Sequence, residues 1–155
     1  MHWRVALLLA AYLAGTHVLA CDCPDAGPFL VVARSAPLVA RGVVLSHVDH
    51  GLDFQVRAVY QGRETPKTIR VWGDTGTLCR QYASELPDGT EWVVALYRIV
   101  PDEHRKDEKA TDYQIPSCGE FSVRIEQGSI ATRNAFGLPD RISVEDVAGM
   151  LASGR

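Results

Sequence analysis

The chain has 155 residues, 46% of them hydrophobic, and its 16 basic and 19 acidic side chains give a net charge of −3. That length holds one ordinary domain with a real core and is short for two. The slight acidic excess and the lack of any Lys and Arg cluster make nucleic acid and anionic membrane surfaces poor partners.

The first twenty residues read as a signal peptide. Arg4 gives a positive start, Val5 to Leu13 is an apolar run too short to span a bilayer, and Val18-Leu19-Ala20 ends on the small residue that signal peptidase prefers. Cleavage after Ala20 takes 20 residues from 155 and leaves a mature domain of 135, beginning at Cys21 and running to residue 155. The loss of Arg4 brings the net charge to about −4. The mature protein is then extracellular, or in the periplasm or cell envelope of a bacterium, and no later apolar run is long enough to cross a membrane. Val18-Leu19-Ala20-Cys21 is also a marginal lipobox. Lipid on the Cys21 sulfur would leave an odd three cysteines, so lipidation and disulfide bonding of Cys21 exclude each other.

Four cysteines, Cys21, Cys23, Cys79 and Cys118, follow the leader, and in an oxidising compartment an even count reads as a disulfide framework. A bridge between Cys21 and Cys23 would strain a small ring at the limit of disulfide reach. Two pairings remain, and either ties both N-terminal cysteines to distant chain. The loops so closed hold roughly 55 to 100 residues, each worth on the order of 4 kcal/mol in the chain-entropy model.

The elements then follow in order. Phe29 to Ser35 is short and apolar, a helical turn or two that Pro37 ends. Leu38 to Val48, rich in Val and Leu, is a long first strand, and Gly51 marks a hairpin turn. Asp53, Gln55 and Arg57 alternate with Phe54, Val56 and Ala58 in a half-buried strand that Tyr60-Gln61-Gly62 closes, and Lys67 to Gly73 alternates similarly. Pro87-Asp88-Gly89 is a turn, and Trp92 to Ile99 is the most hydrophobic strand and the expected centre of the sheet. Pro101 to Asp112 is a charged, solvated loop; Phe121 to Ile125 and Ser129 to Thr132 are two short strands. Ser143 N-caps a final helix over about 143–152, with Val144, Val147 and Leu151 as its apolar stripe. Five or six strands with short flanking helices predict a mainly β fold, a small OB-fold-like β-barrel with a disulfide-stapled N-terminus; a seven-stranded sandwich is the alternative.

Enzyme motifs are missing. The sequence contains no G-x-S-x-G, H-E-x-x-H or Gly-rich phosphate loop, so neither catalysis nor a cofactor is expected. His47 and His50 sit at a strand end, on opposite faces and without a third ligand, and read as solvent-exposed turn residues. Trp72, Trp92 and Tyr97 read as core aromatics.

A family pattern runs through these elements. Cys21-Asp22-Cys23-Pro24, the strand Leu38 to Val44, Val59-Tyr60-Gln61-Gly62, Thr77-Leu78-Cys79 and Pro116-Ser117-Cys118-Gly119 follow one another in an order and spacing that resembles the N-terminal, netrin-like OB-fold module of the tissue inhibitors of metalloproteinases. The similarity covers Cys21 to Glu126. It implies the pairs Cys21–Cys79 and Cys23–Cys118. It also implies a zinc metalloproteinase as partner, with the metal held by the protease and chelated by the α-amino group and carbonyl oxygen of Cys21. Asp22, Cys23, Pro24, Thr77 and Leu78 would complete the contact strip, Asp22 entering the specificity pocket. The family's third bridge and its disulfide-rich C-terminal domain have no counterpart in the sequence, which implies a minimal, stand-alone relative. A carboxylate at Asp22 costs several kcal/mol in an apolar pocket unless paired, so the resemblance implies poor inhibition of proteases with such pockets. A structural or partner-binding envelope protein without inhibitory activity is the alternative reading.

Overall fold

The computed structural model describes residues 21–63, 66–100, 105–133 and 140–153. The expected signal peptide and the lipobox residues before Cys21 lie outside the described residues. After the N-terminal segment come a short helix α1 (Phe29–Ala33) and the strands β1 (Leu38–Val48), β2 (Gly51–Gln61), β3 (Thr68–Trp72), β4 (Glu91–Arg98) and β5 (Tyr113–Gln114). Strands β6 (Ser122–Glu126), β7 (Ser129–Ala131) and β8 (Arg141–Ser143) and helix α2 (Val147–Ser153) complete the chain. The fold is mainly β. Five strands in the order β1-β2-β3-β5-β4 close into an OB-fold-like barrel through pairing of β1 with β4, which removes the sandwich alternative.

Closure asks β1 to pair on both sides. Its first half lies antiparallel to β4, Leu38 opposite Leu96 and Val43 opposite Glu91, while its whole length pairs with β2. Register shifts after Val39, Arg41 and Val44 bend the strand enough to serve both partners. At Gly42 a Cβ would sit 2.2 Å from the Gln55 carbonyl oxygen and 2.6 Å from the Phe54 ring, so the bend is open only to glycine. The barrel interior fills with Ala40, Val44, Leu52, Phe54, Val71 and Val94, all buried.

Strand β4 is the most covered. Val93, Val94, Ala95 and Leu96 are buried in succession because one face lines the barrel and α1 packs on the strand. Helix α1 has no side-chain cap from Pro28. The Phe29 N–H donates instead to Glu120 Oε2 at 2.8 Å, 91 residues on. At its other end the Gln61 amide donates to the carbonyls of Ala33, Arg34 and Ala36 at 3.1, 3.2 and 2.7 Å, which is what the glutamine of Val59-Tyr60-Gln61-Gly62 does.

Three local expectations change. The hairpin turn is Asp49-His50, with Asp49 at φ 52°, and Gly51 is already in β2, where a Cβ would meet the Trp72 ring at 2.8 Å. Residues 105–112 are not simply solvated: Glu108 is buried and pairs with Arg80 at 2.8 Å, and Asp112 accepts the Trp72 indole N–H at 2.8 Å. Residues 101–104 of that loop lie outside the described residues. Finally, Ser143 ends strand β8 and caps no helix; Ile142 pairs with Ile130 of β7, and α2 starts only at Val147. Burial of both Ile142 and Val144 fits a strand end better than a helical stripe.

Candidate functional site

Three segments meet at one rim of the barrel. The bridges Cys21–Cys79 and Cys23–Cys118 form, with Cα–Cα separations of 5.3 and 6.0 Å across 58 and 95 residues of sequence. Both follow the pairing that the resemblance implied. Backbone hydrogen bonds lay the same segments together: Ala26 N–H to the Cys118 carbonyl at 2.8 Å, Glu120 N–H to Gly27 at 3.0 Å, and Ser117 N–H to Cys79 at 3.2 Å. Ser117 Oγ stands 3.8 Å from the sulfurs of both Cys21 and Cys118, between the two bridges.

The expected contact residues fall on this rim. Asp22, Cys23, Pro24 and Thr77 are exposed, and Cys21 and Leu78 are half-buried. The structure thus brings 21–24 and 77–79 side by side, although more than fifty residues separate them in sequence.

Asp74, missed by sequence reasoning, shapes the second segment. It is 6% exposed, and its Oδ1 accepts the backbone N–H groups of Thr75, Gly76, Thr77 and Leu78 at 2.6, 2.8, 3.1 and 2.8 Å. One carboxylate oxygen therefore organises the turn that presents Thr77 and Leu78. Just before it, Gly73 lets the chain pass close to the backbone of 81–83: a Cβ there would sit 2.4 Å from the Ala83 nitrogen. An Asp followed by Thr-Gly is a local Asx-turn signal that could have revealed this role. Arg105 also reaches this turn, donating to Thr75 Oγ1 at 2.6 Å.

The first segment has its own polar clamp. Arg133 donates from its two terminal nitrogens to Asp25 at 2.6 and 3.1 Å, and also to the Gly27 carbonyl at 2.8 Å. The hydrogen bonds from Arg133, and then from the Gly27 N–H, hold the Asp25 carboxyl down to a pKa of about 2. Glu120 receives the Arg133 backbone N–H and the Thr132 hydroxyl besides capping α1, so it links the helix to this clamp. Beside Cys21 a cleft of about 660 Å³ opens between 80–85 and 116–122, with the half-exposed Tyr82 and Glu85 on one wall and Glu120 and Arg133 on the other.

The histidines do not converge. His47 Nδ1 lies 2.6 Å from Asp88 and Nε2 2.9 Å from the Ala83 carbonyl, so it ties β1 to the 83–88 turn, where the sequence suggested a solvated side chain. Among the described residues no group of three or more His, Cys, Asp or Glu side chains is placed to hold a metal, and no helix is long and apolar enough to cross a membrane. No protein-family model matches the chain, and no curated protein is significantly similar to it.

Proposed function

We propose that this rim is an inhibitory wedge for the active-site cleft of a zinc endopeptidase, carried by an exported protein akin to the netrin-like inhibitors. Once residues 1–20 are removed, Cys21 offers a free α-amine and its own carbonyl oxygen, which together close a five-membered chelate on the zinc of the protease and displace its catalytic water. The observation that carries this reading is the joint fixing of 21–24 and 77–79 on one exposed rim by two bridges. A segment already held in its bound shape loses little freedom on binding. The barrel supplies a rigid back to the wedge and takes no part in the chemistry.

The test is at the amine. Adding one alanine before Cys21, or carbamylating its α-amine, is expected to abolish inhibition of a susceptible zinc endopeptidase while circular dichroism stays unchanged. Inhibition by the unmodified protein should weaken as pH falls through the α-amine pKa of about 8, because the protonated amine has no lone pair for zinc. Equal inhibition with and without the added alanine would remove the chelate. A panel of zinc endopeptidases untouched by the free-amine protein would leave the rim as a staple for an envelope-binding scaffold.

A further inference from the structure

Two aspartates of the N-terminal segment are treated oppositely. Asp25 is clamped by Arg133. Asp22, three residues earlier, is exposed, and its carboxylate makes no hydrogen bond or ion pair among the described residues. The guanidinium groups around the rim are engaged elsewhere: Arg133 on Asp25, Arg80 on the buried Glu108, and Arg105 on the Thr75 hydroxyl. The protein therefore leaves the Asp22 carboxylate facing outward, without a partner among the described residues, from a backbone pinned on both sides by disulfides.

Chain direction says where that charge goes. A zinc endopeptidase polarises the carbonyl of one residue, and the side chain of the next residue enters the pocket on the leaving-group side. With the Cys21 carbonyl on the metal, Asp22 is that next residue. In an apolar pocket its carboxylate would leave water uncompensated, whereas an Arg or Lys on the pocket wall would meet it with charge-assisted hydrogen bonds. We infer that the partner of this rim is a zinc endopeptidase with a cationic leaving-group-side pocket, one that cuts on the amino side of acidic residues. The inference rests on the inhibitor reading above and adds the class of protease to it. Exposed Glu85 on the adjacent cleft wall adds negative charge of the sign that such an enzyme attracts.

The experiment compares two zinc endopeptidases, one that cleaves before aspartate and one that cleaves before leucine or phenylalanine. Each is titrated with the mature protein and with Asp22→Asn and Asp22→Leu, the intact mass verifying Cys21 as first residue. Asp22 is exposed and makes no hydrogen bond or ion pair among the described residues, so all three should unfold at the same temperature. The mature protein is expected to inhibit the aspartate-directed enzyme at least tenfold more tightly than the other; Asp22→Asn should lose at least tenfold there, and Asp22→Leu should reverse the preference. Equal inhibition of the aspartate-directed enzyme by the mature protein and Asp22→Asn, or preference of the mature protein for the leucine-directed enzyme, would overturn the inference and leave the inhibitor reading standing. Failure of all three proteins against both enzymes would overturn both.

Discussion

The barrel and the rim it carries hold their shapes by different forces. In the barrel, β1 pairs along its length with β2 and over its first half with β4, and Val39, Phe54, Val94 and their neighbours are fully buried between strands and helices. In the rim, residues 21–26 are mostly exposed and bury no large apolar side chain. Two disulfides, one buried aspartate and one surface guanidinium hold it instead. The barrel derives its stability from apolar area removed from water, and the rim is fixed without hiding its own surface. The proposed inhibitory role calls for that second kind of order, since side chains used for a surface's own packing are not available to a partner.

Substitutions that separate the two kinds of order give the largest expected effects. Phe54→Ala empties the barrel centre and should lower stability by about 3 to 5 kcal/mol, read by denaturant unfolding, with amide exchange at residues 75–78 unchanged below the transition. The double change Cys23→Ser and Cys118→Ser opens a loop of 95 residues and should cost on the order of 2 to 5 kcal/mol. It should in addition release residues 21–26 to rapid proteolysis while the barrel stays folded. If the two variants loosened the same amides, the division between barrel and rim would fail.

A smaller effect is expected at Asp74, which belongs to the rim by position and to neither disulfide by bonding. Asp74→Ala removes the shared acceptor of four backbone N–H groups. Those groups recover water in part, so the loss is about 1 to 3 kcal/mol, with amide exchange at 75–78 faster by at least tenfold. Asp74→Asn keeps an oxygen in the same place and should recover most of the protection. Equal exchange in wild type and Asp74→Ala would mean that the Cys21–Cys79 bridge alone shapes the turn.

The same division governs what could be read in the sequence. The barrel was legible because strands advertise themselves locally: period-two alternation in 53–58, the apolar run from Val93, and Pro87-Asp88-Gly89 as a turn all act within a few residues. Strand β5 escaped because two residues, Tyr113 and Gln114, carry no period, and its pairing with β3 is set by the barrel. In the rim the cysteines marked the segments, since Cys chemistry announces itself at any separation. The polar supports did not: Glu120 meets Phe29 across 91 residues and Arg133 meets Asp25 across 108, and such distances leave no local pattern. Glu108, the buried partner of Arg80, hid in a stretch whose charge count looked like solvent-facing loop.

The smallest effect, and the finest test of the comparison, is the acid titration of the N-terminal clamp. Asp25 is exposed, so its pairing with Arg133 orders the segment without contributing much to global stability. Its carboxyl is held at about 2, below its ordinary 3.8, first by the hydrogen bonds from Arg133 and then by the Gly27 N–H. A depressed folded-state pKa means that the clamp's contribution is complete above about pH 4 and is lost as pH falls from there through about 2. A carboxyl-carbon NMR titration should therefore place the Asp25 midpoint near 2. Arg133→Gln should return it most of the way to the ordinary value and raise local exchange at residues 25–27, with the unfolding midpoint at pH 7 shifting less than for Phe54→Ala, the double cysteine variant or Asp74→Ala. An Asp25 midpoint near 4 in the unmodified protein would show that the guanidinium does not hold the segment, and that the disulfides and the backbone bonds to Cys118 and Glu120 order it on their own.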